Sequence, residues 1–189
     1  MTISRTENNQ TKEQVPLVSI LCATFNHVDY IKDCLDGFLM QKVSFPIEII
    51  VRDDASTDGT SEIIRRYEEK HPHLFRNIYE SKNQYSKGIK ALPVMKRRAR
   101  GKYVALCEGD DYWTDPDKLQ KQVNFLEKNK GYSLCFHAVS KIEANQVLHE
   151  FPSYDLKEAF GLVDLFTQWF IPTASILFKN NIDFRWNGQ

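Results

Sequence analysis

The sequence predicts an α/β fold, a mostly parallel β-sheet with helices on both faces. Short apolar runs bounded by turn residues alternate with longer segments in which apolar residues recur at helical spacing. The runs are closely apolar, as in strands that are covered on both faces. The 189 residues, 42% of them hydrophobic, are enough to bury the core of one domain. Parallel sheets bind ligands at the carboxyl ends of their strands, so the segments that follow each run are where we expect the functional site.

The order of the elements follows from these runs. Each predicted strand is a short apolar or alternating segment, and each predicted helix keeps apolar residues on one face. The predicted strands are residues 17–22, 47–52, 74–79, 102–107, 132–139 and 174–179. The predicted helices begin near Ile31, near Thr60, after Gly88, near Leu119 and at Phe160, and the third of them extends to about Arg100. Residues 1–15 are polar, lack a hydrophobic period and are predicted to be a disordered tail, whereas residues 16–189 are predicted to form one domain.

Three acids follow the fourth strand. Glu108, Asp110 and Asp111 stand at its carboxyl end, where their oxygens can hold a divalent cation. A cluster of uncompensated carboxylates is costly unless a cation or solvent relieves it, and a cation implies a phosphorylated substrate. The alternative is an acidic turn, and we assign that role to Asp115 and Asp117, which with Thr114 resembles a capping box for the next helix.

The turn after the first strand carries a second set of polar residues on the same edge. Phe25 can stack on a base, and Thr24 and Asn26 can hydrogen-bond to one. Thr and Asn are also ordinary helix-capping residues, and both interpretations remain open from the sequence. We interpret His27 as a solvated loop residue, because no second His or Cys stands near it at ligand spacing.

The second strand ends in Asp53 and Asp54. Asp58 or Thr57 can cap the following helix, but capping leaves Asp53 and Asp54 unexplained. Paired carboxylates suit the recognition of ring N–H or hydroxyl donors, so these two acids are candidate nucleoside ligands.

Two groups of basic residues are candidate phosphate ligands. Lys82 and Lys87 lie in a polar loop that faces the ligand edge, and we expect them to contact phosphate. The basic run 96–100 is predicted to lie at the remote, electronegative end of a helix, where it matches the helix dipole.

Charge and apolar patterning exclude some classes of function. Lys and Arg total 25 and Asp and Glu total 25, so no global field attracts nucleic acid or an anionic membrane. The longest apolar run is too short to cross a bilayer and no leader precedes it, so we expect a cytoplasmic protein without a transmembrane segment. The widely spaced cysteines in apolar segments are interpreted as reduced core residues: Cys22, Cys34, Cys107 and Cys135.

Three ordered motifs together resemble the inverting family 2 nucleotide-sugar glycosyltransferases. They are residues 18–21 leading to 24–26, residues 49–60, and residues 101–104 leading to 108–113, within a match of about 16–139. The resemblance implies a Rossmann-like fold of the glycosyltransferase A type, with helices on both faces of a mostly parallel sheet. The sequence differs from the family's pattern in three places. It has Cys22–Ala23 where a Pro is common, and Glu108 where the family has Asp. It also lacks a clear basic or amide residue near Leu92–Pro93, before the fourth strand.

The resemblance also implies roles for individual residues. Asp110 is expected to hold Mn²⁺ or Mg²⁺ with the help of Glu108 and Asp111, and Asp110 and Asp111 are the catalytic candidates. The family's general base lies in an acidic motif beyond Gln189, so the domain is expected to be incomplete at its C-terminus. The expected nucleotide-binding residues are Ala23, Thr24, Phe25, Asn26, Asp53, Asp54, Lys82, Lys87 and Gly109.

The implied activity is metal-dependent transfer of a sugar, with inversion, from a nucleoside-diphosphate sugar to an acceptor hydroxyl. The expected donor is a UDP-sugar, the expected acceptor is a glycan or lipid-linked glycan in surface polysaccharide synthesis, and the inner face of the membrane is an alternative location. A nucleotidyltransferase would need a Gly-rich, basic loop after strand one, and residues 23–29 contain no Gly, Lys or Arg. A fragment that binds sugar nucleotides without transferring sugar is the other alternative.

Overall fold

The computed structural model of the chain describes residues 14–143, 146–151, 159–161 and 171–182. Strands and helices alternate through residue 128 as the sequence predicts. The strands are β1 (Val18–Thr24), β2 (Ile47–Asp53), β3 (Ile78–Tyr79), β4 (Tyr103–Leu106), β5 (Leu134–Cys135), β6 (Val139–Glu143), β7 (Gln146–Phe151) and β8 (Leu177–Lys179). The helices are α1 (Ile31–Leu39), α2 (Thr60–Lys70), α3 (Ala91–Lys96) and α4 (Lys118–Lys128), with 3₁₀ turns at Tyr85–Lys87 and Thr173–Ser175. Nearly all of the predicted tail 1–15 and of the predicted helix 160–169 lies outside the described residues.

The main sheet has the strand order β3-β2-β1-β4-β8-β5. The first four strands in this order are parallel, and β8 is antiparallel to both β4 and β5. The prediction of a mostly parallel sheet is therefore confirmed. The chain proceeds from β1 to β2 on one side and returns to place β4 on the other side of β1. This reversal makes the β1–β4 border a topological switch point, where open α/β sheets leave a crevice for ligands.

The core lies on both faces of this sheet. Val18, Ile20 and Cys22 of β1 belong to a buried cluster that includes side chains of α1, α2 and α4. Leu21 points to the opposite face and belongs to a second cluster with Met95 of α3. The alternation of β1 side chains thus buries both faces, and the predicted covering of helices on both faces is confirmed.

Two predicted elements before β4 are shorter than the sequence suggests. The third strand is limited to Ile78–Tyr79, preceded by an isolated bridge between Phe75 and Ile49. The Leu74 and Phe75 amides donate to the His71 carbonyl instead of joining a longer ladder. The helix predicted to reach Arg100 ends at Lys96, because the chain turns there.

The predicted strand 132–139 is divided between two sheets. Only β5 joins the main sheet, and Val139 begins a separate hairpin of β6 and β7. His137 is exposed between them. The predicted strand 174–179 is limited to β8, since residues 173–175 form a 3₁₀ turn.

The start of α4 differs from the predicted capping box. Neither Thr114 nor Asp117 donates or accepts a side-chain capping bond there. Instead Asp115 Oδ1 accepts from the Asp117 amide at 2.9 Å, and Gln41 Oε1, from beyond α1, accepts from the Leu119 amide at 3.1 Å. A tertiary contact thus replaces the local cap.

None of the helices in the part of the chain that the structure describes is long and apolar enough to cross a bilayer.

Candidate active site

A cavity of about 1090 Å³ opens at the carboxyl ends of β1, β2 and β4. Thr24 at the end of β1 is level with Asp53 at the end of β2. The Gly109 amide donates to the Ala23 carbonyl at 2.9 Å, which brings the segment after β4 beside the end of β1. The predicted residues that line the cavity are Ala23, Thr24, Phe25, Asp54, Glu108 and Asp110. Asn26, Asp53, Lys82, Lys87, Gly109 and Asp111 are not part of its wall.

Gly109 is required by the close approach of two loops. A Cβ atom on Gly109 would lie 2.5 Å from Thr24 Oγ1 and 2.9 Å from His27 Nδ1. These two atoms are also the buried side-chain nitrogen and oxygen atoms that lack a hydrogen-bond partner within the described ranges. The acidic motif therefore packs directly against the β1–α1 loop.

The three acids of the motif interact with one another. Desolvation raises the pKa of Glu108, and repulsion from Asp111 and Asp110 raises it further. Burial likewise raises the pKa of Asp111, with a further contribution from Asp110 and an opposing one from His27. His27 Nδ1 lies 3.8 Å from Asp110 Oδ1. A cation near Asp110 would relieve this repulsion, so the residues fit a divalent metal.

The acids do not form a complete metal cage. No three His, Cys, Asp or Glu side chains converge on one point among the residues that the structure describes. Mg²⁺ and similar hard cations commonly take one or two carboxylates and complete their coordination with water and substrate phosphates. Asp110 and Glu108, which line the cavity, suit this arrangement better than a closed site of three carboxylates.

The β1–α1 and β2–α2 loops are joined by side chains. Asn26 and Ala55, one in each loop, have positive φ angles of 56° and 66°, a conformation that is unusual outside glycine. The Asn26 side chain accepts from the Thr57 amide at 2.9 Å, so it links the loops and matches the structural alternative more closely than base recognition. The other links are Asn26 N to Ser56 Oγ, His27 N to Thr60 Oγ1, and Val28 N to Asp58 Oδ2.

Asp53 and Asp54 have internal partners that the sequence did not reveal. The Asp53 carboxylate accepts from the hydroxyls of Ser56 and Ser61. Asp54 pairs with buried Arg52 at 3.2 Å and accepts from the backbone amides of Gln84 and Tyr85, both at 2.9 Å. Asp54 therefore fixes the loop that follows β3 against the end of β2.

The basic side chains at the cavity are not the predicted ones. Lys90, Lys96 and Arg97 line it together with Arg52, whereas Lys82 and Lys87 do not. Our placement of the basic run 96–100 away from the ligand site was wrong for its first two residues, because α3 is short and lines the cavity along its length, from Lys90 to Arg97. Arg52 had a usable signal, a charge within an apolar strand next to the ligand edge.

Trp113 supports the segment that brings Thr173 to the cavity. Its Nε1–H donates to the Ala174 carbonyl at 2.8 Å, and its ring meets Phe38 edge-on at a centroid distance of 4.8 Å. The buried Lys118 ammonium lies 4.0 Å from the centroid of the Trp113 ring. These contacts hold the 3₁₀ turn Thr173–Ser175, whose Thr173 lines the cavity and had no recognisable signal in the sequence.

The sequence matches the model of a known protein family, and this family agrees with the fold and the site geometry. Residues 19–180 match the family model described as glycosyl transferase family 2. The chain belongs to this family. The match favours the glycosyltransferase interpretation over the nucleotidyltransferase alternative, and with the sheet topology it confirms the glycosyltransferase A type of fold.

Individual proteins are also similar to the chain. The chain is 42% identical over 164 residues to the uncharacterized protein Rv1520 of Mycobacterium tuberculosis, covering 86% of this chain and 46% of that protein. It is 36% identical over 117 residues to the Escherichia coli UDP-Glc:alpha-D-GlcNAc-diphosphoundecaprenol beta-1,3-glucosyltransferase WfaP, covering 61% of this chain and 43% of WfaP. The chain spans about half the length of the curated relatives it matches.

A solved structure shares the fold. The mannosyltransferase PcManGT from Pyrobaculum calidifontis, in complex with GDP-Man and Mn²⁺, superposes with a TM-score of 0.54 at 30% sequence identity. The superposition covers 64% of this chain and 35% of PcManGT.

Proposed function

We propose that the protein is a metal-dependent, inverting glycosyltransferase that uses a nucleoside-diphosphate sugar as donor. The observation that carries the proposal is the convergence of Thr24, Glu108 and Asp110 on one large cavity at the sheet's switch point. The cavity is lined both by the acids Glu108 and Asp110 and by the basic side chains Lys90 and Arg97, a combination that suits a ligand made of a cation and a diphosphate.

The proposed roles follow from the positions of the side chains. Asp110, with Glu108, would hold Mn²⁺ or Mg²⁺, and Asp111 would add negative charge to the motif from outside the cavity wall. When bound, the cation neutralises charge that develops on the departing nucleoside diphosphate. Lys90 and Arg97 would bind phosphate oxygens, and Phe25, which is exposed at the cavity, would stack on the base.

The donor and acceptor are inferred by analogy with relatives. WfaP is named for a UDP-glucose donor and a diphosphoundecaprenol-linked acceptor, and the PcManGT structure is a complex with GDP-Man and Mn²⁺. We propose a UDP-sugar as the first donor to test and a lipid-linked glycan in surface polysaccharide synthesis as the acceptor. Such an acceptor would place the enzyme in the cytoplasm at the inner face of the membrane.

Inversion requires a base that accepts the proton of the acceptor hydroxyl on the side opposite the leaving group. We propose that this base lies downstream of Gln189, as the family resemblance implies. The nucleotide-binding domain would then begin near residue 16 and continue past the present chain.

The test is the variant Asp110→Asn, which keeps the shape of the side chain but removes an anionic oxygen ligand. It should abolish the Mn²⁺-dependent part of UDP or GDP affinity in calorimetric titrations, while nucleoside binding and thermal unfolding remain unchanged. Asp117→Asn, an exposed acid in the same segment, is the matched control. Equal Mn²⁺-dependent affinity in Asp110→Asn and the parent chain would refute the metal role of Asp110.

A further inference from the structure

We propose that His27 is a positioning residue for the cation, through a hydrogen bond from its Nδ1–H to the Asp110 carboxylate. The inference rests on the proposed function, in which Asp110 is a metal ligand. His27 Nδ1 lies 3.8 Å from Asp110 Oδ1, beyond hydrogen-bond distance but within reach of a small side-chain rotation. The same Nδ1 is a buried polar atom without a hydrogen-bond partner in the described part of the chain. Buried polar atoms are normally satisfied, so an unpartnered ring nitrogen beside a carboxylate indicates a bond that forms in another state of the site.

The backbone of His27 is held firmly on both sides. Its amide donates to Thr60 Oγ1 at 2.9 Å, and that hydroxyl in turn donates to Asp58 Oδ1 at 2.7 Å. Its carbonyl accepts from the amides of Tyr30 and Ile31 at 3.0 and 2.8 Å. The α2 terminus and the α1 terminus thus fix the position from which the imidazole reaches the acidic motif.

The imidazole also has little room to move away from the motif. A Cβ atom added to Gly109 would lie only 2.9 Å from His27 Nδ1. The imidazole ring therefore packs against the backbone of the residue that precedes Asp110. Metal-binding carboxylates are commonly oriented by a second hydrogen-bonding group, and loss of that group typically lowers metal affinity about 10–100-fold.

Two variants separate positioning from packing. His27→Asn keeps an amide N–H near the position of Nδ1 but loses the ring, whereas His27→Phe keeps the ring and loses the donor. The side chain is 24% exposed, so both variants are expected to fold, which melting curves check. His73→Phe, in the exposed segment after α2, is the control for a His-to-Phe change.

The measurement is calorimetric titration of Mn²⁺ into each protein saturated with UDP, and with GDP in a second series. We expect His27→Phe to bind Mn²⁺ about 10-fold more weakly than the parent chain, and His27→Asn to recover most of that loss. A packing role predicts the reverse order, with the Phe variant closer to the parent, and that order would overturn the inference. Parent-like Mn²⁺ affinity in His27→Phe would overturn it as well. If the parent chain itself shows no Mn²⁺-dependent binding with either nucleotide, the proposed function fails and this inference fails with it.

Discussion

Gly109→Ala tests most directly whether the acidic motif, residues 108–111, is held in place by close packing against the β1–α1 loop. The added Cβ would meet Thr24 Oγ1 at 2.5 Å, Thr24 Cβ at 2.7 Å and His27 Nδ1 at 2.9 Å. Carbon atoms in contact are normally about 3.5–4.0 Å apart, so the loop or the motif must shift by roughly 1 Å. Overpacking of this kind typically costs about 1–3 kcal/mol.

The same shift would move Asp110 away from its place in the cavity wall. We therefore expect Gly109→Ala to lower the free energy of unfolding by about 1–3 kcal/mol and to weaken Mn²⁺-dependent nucleotide binding. Gly131→Ala is the matched control, because nothing lies within 4 Å of the Cβ that it would add. The control should be neutral or slightly stabilising, by up to about 1 kcal/mol, since alanine restricts the unfolded chain.

Urea unfolding followed by Trp fluorescence gives the stability difference, and calorimetry with UDP and Mn²⁺ gives the affinity. Combining Gly109→Ala with Thr24→Ala removes the 2.5 Å contact and should restore part of the lost stability. If Gly109→Ala has the same free energy of unfolding and the same nucleotide affinity as Gly131→Ala, the two loops are not closely packed and our account of the motif is wrong.

Two further predictions concern buried charges. Asp53→Ala and Asp54→Ala should each weaken nucleoside-diphosphate binding by about 1–3 kcal/mol in calorimetry, because their carboxylates order the loops around the cavity; unchanged affinity in both variants would leave them without a role in binding. Burial lowers the pKa of Lys118 from 10.5 to about 8. Between pH 8 and pH 10.5 the unfolded chain therefore binds a proton that the folded chain does not. The free energy of unfolding rises with pH in this range as a result. Lys118→Met should remove about 3 kcal/mol of that rise, measured by urea unfolding from pH 7 to pH 10, and an identical pH dependence in both proteins would contradict the burial of a titrating amine.

The parallel half of the sheet was predictable because local pattern determines it. The apolar run Ile49–Val51 of β2 is fully buried, and the acids after β4 mark the ligand edge directly. The antiparallel strands β5 and β8 were predicted only as parts of longer segments, because they are two and three residues long and their extent is set by pairing: β5 pairs with β8, and β8 pairs with both β4 and β5.

The site was predictable where a residue's position follows from its place after a strand, as for Thr24 and Asp110, which both line the cavity. It was not predictable where the role depends on a distant partner. His27 has no neighbour in sequence that signals a function, and only the fold brings it to Asp110. Lys96 and Arg97 were misplaced because α3 lines the cavity along its whole length, a packing that local pattern does not show.

The pairing of β4 has a consequence for how the protein folds during synthesis. One edge of β4 pairs with β1, which the ribosome has already made, but the other edge pairs with β8. The entire stretch from Leu106 to Leu177 must therefore emerge before that edge is covered. Until then a nascent chain would present the unpaired backbone of a buried strand, a template for aggregation. Pairings so far apart in sequence also form slowly, so the closing of this edge by Leu177–Lys179 is a natural late step in folding.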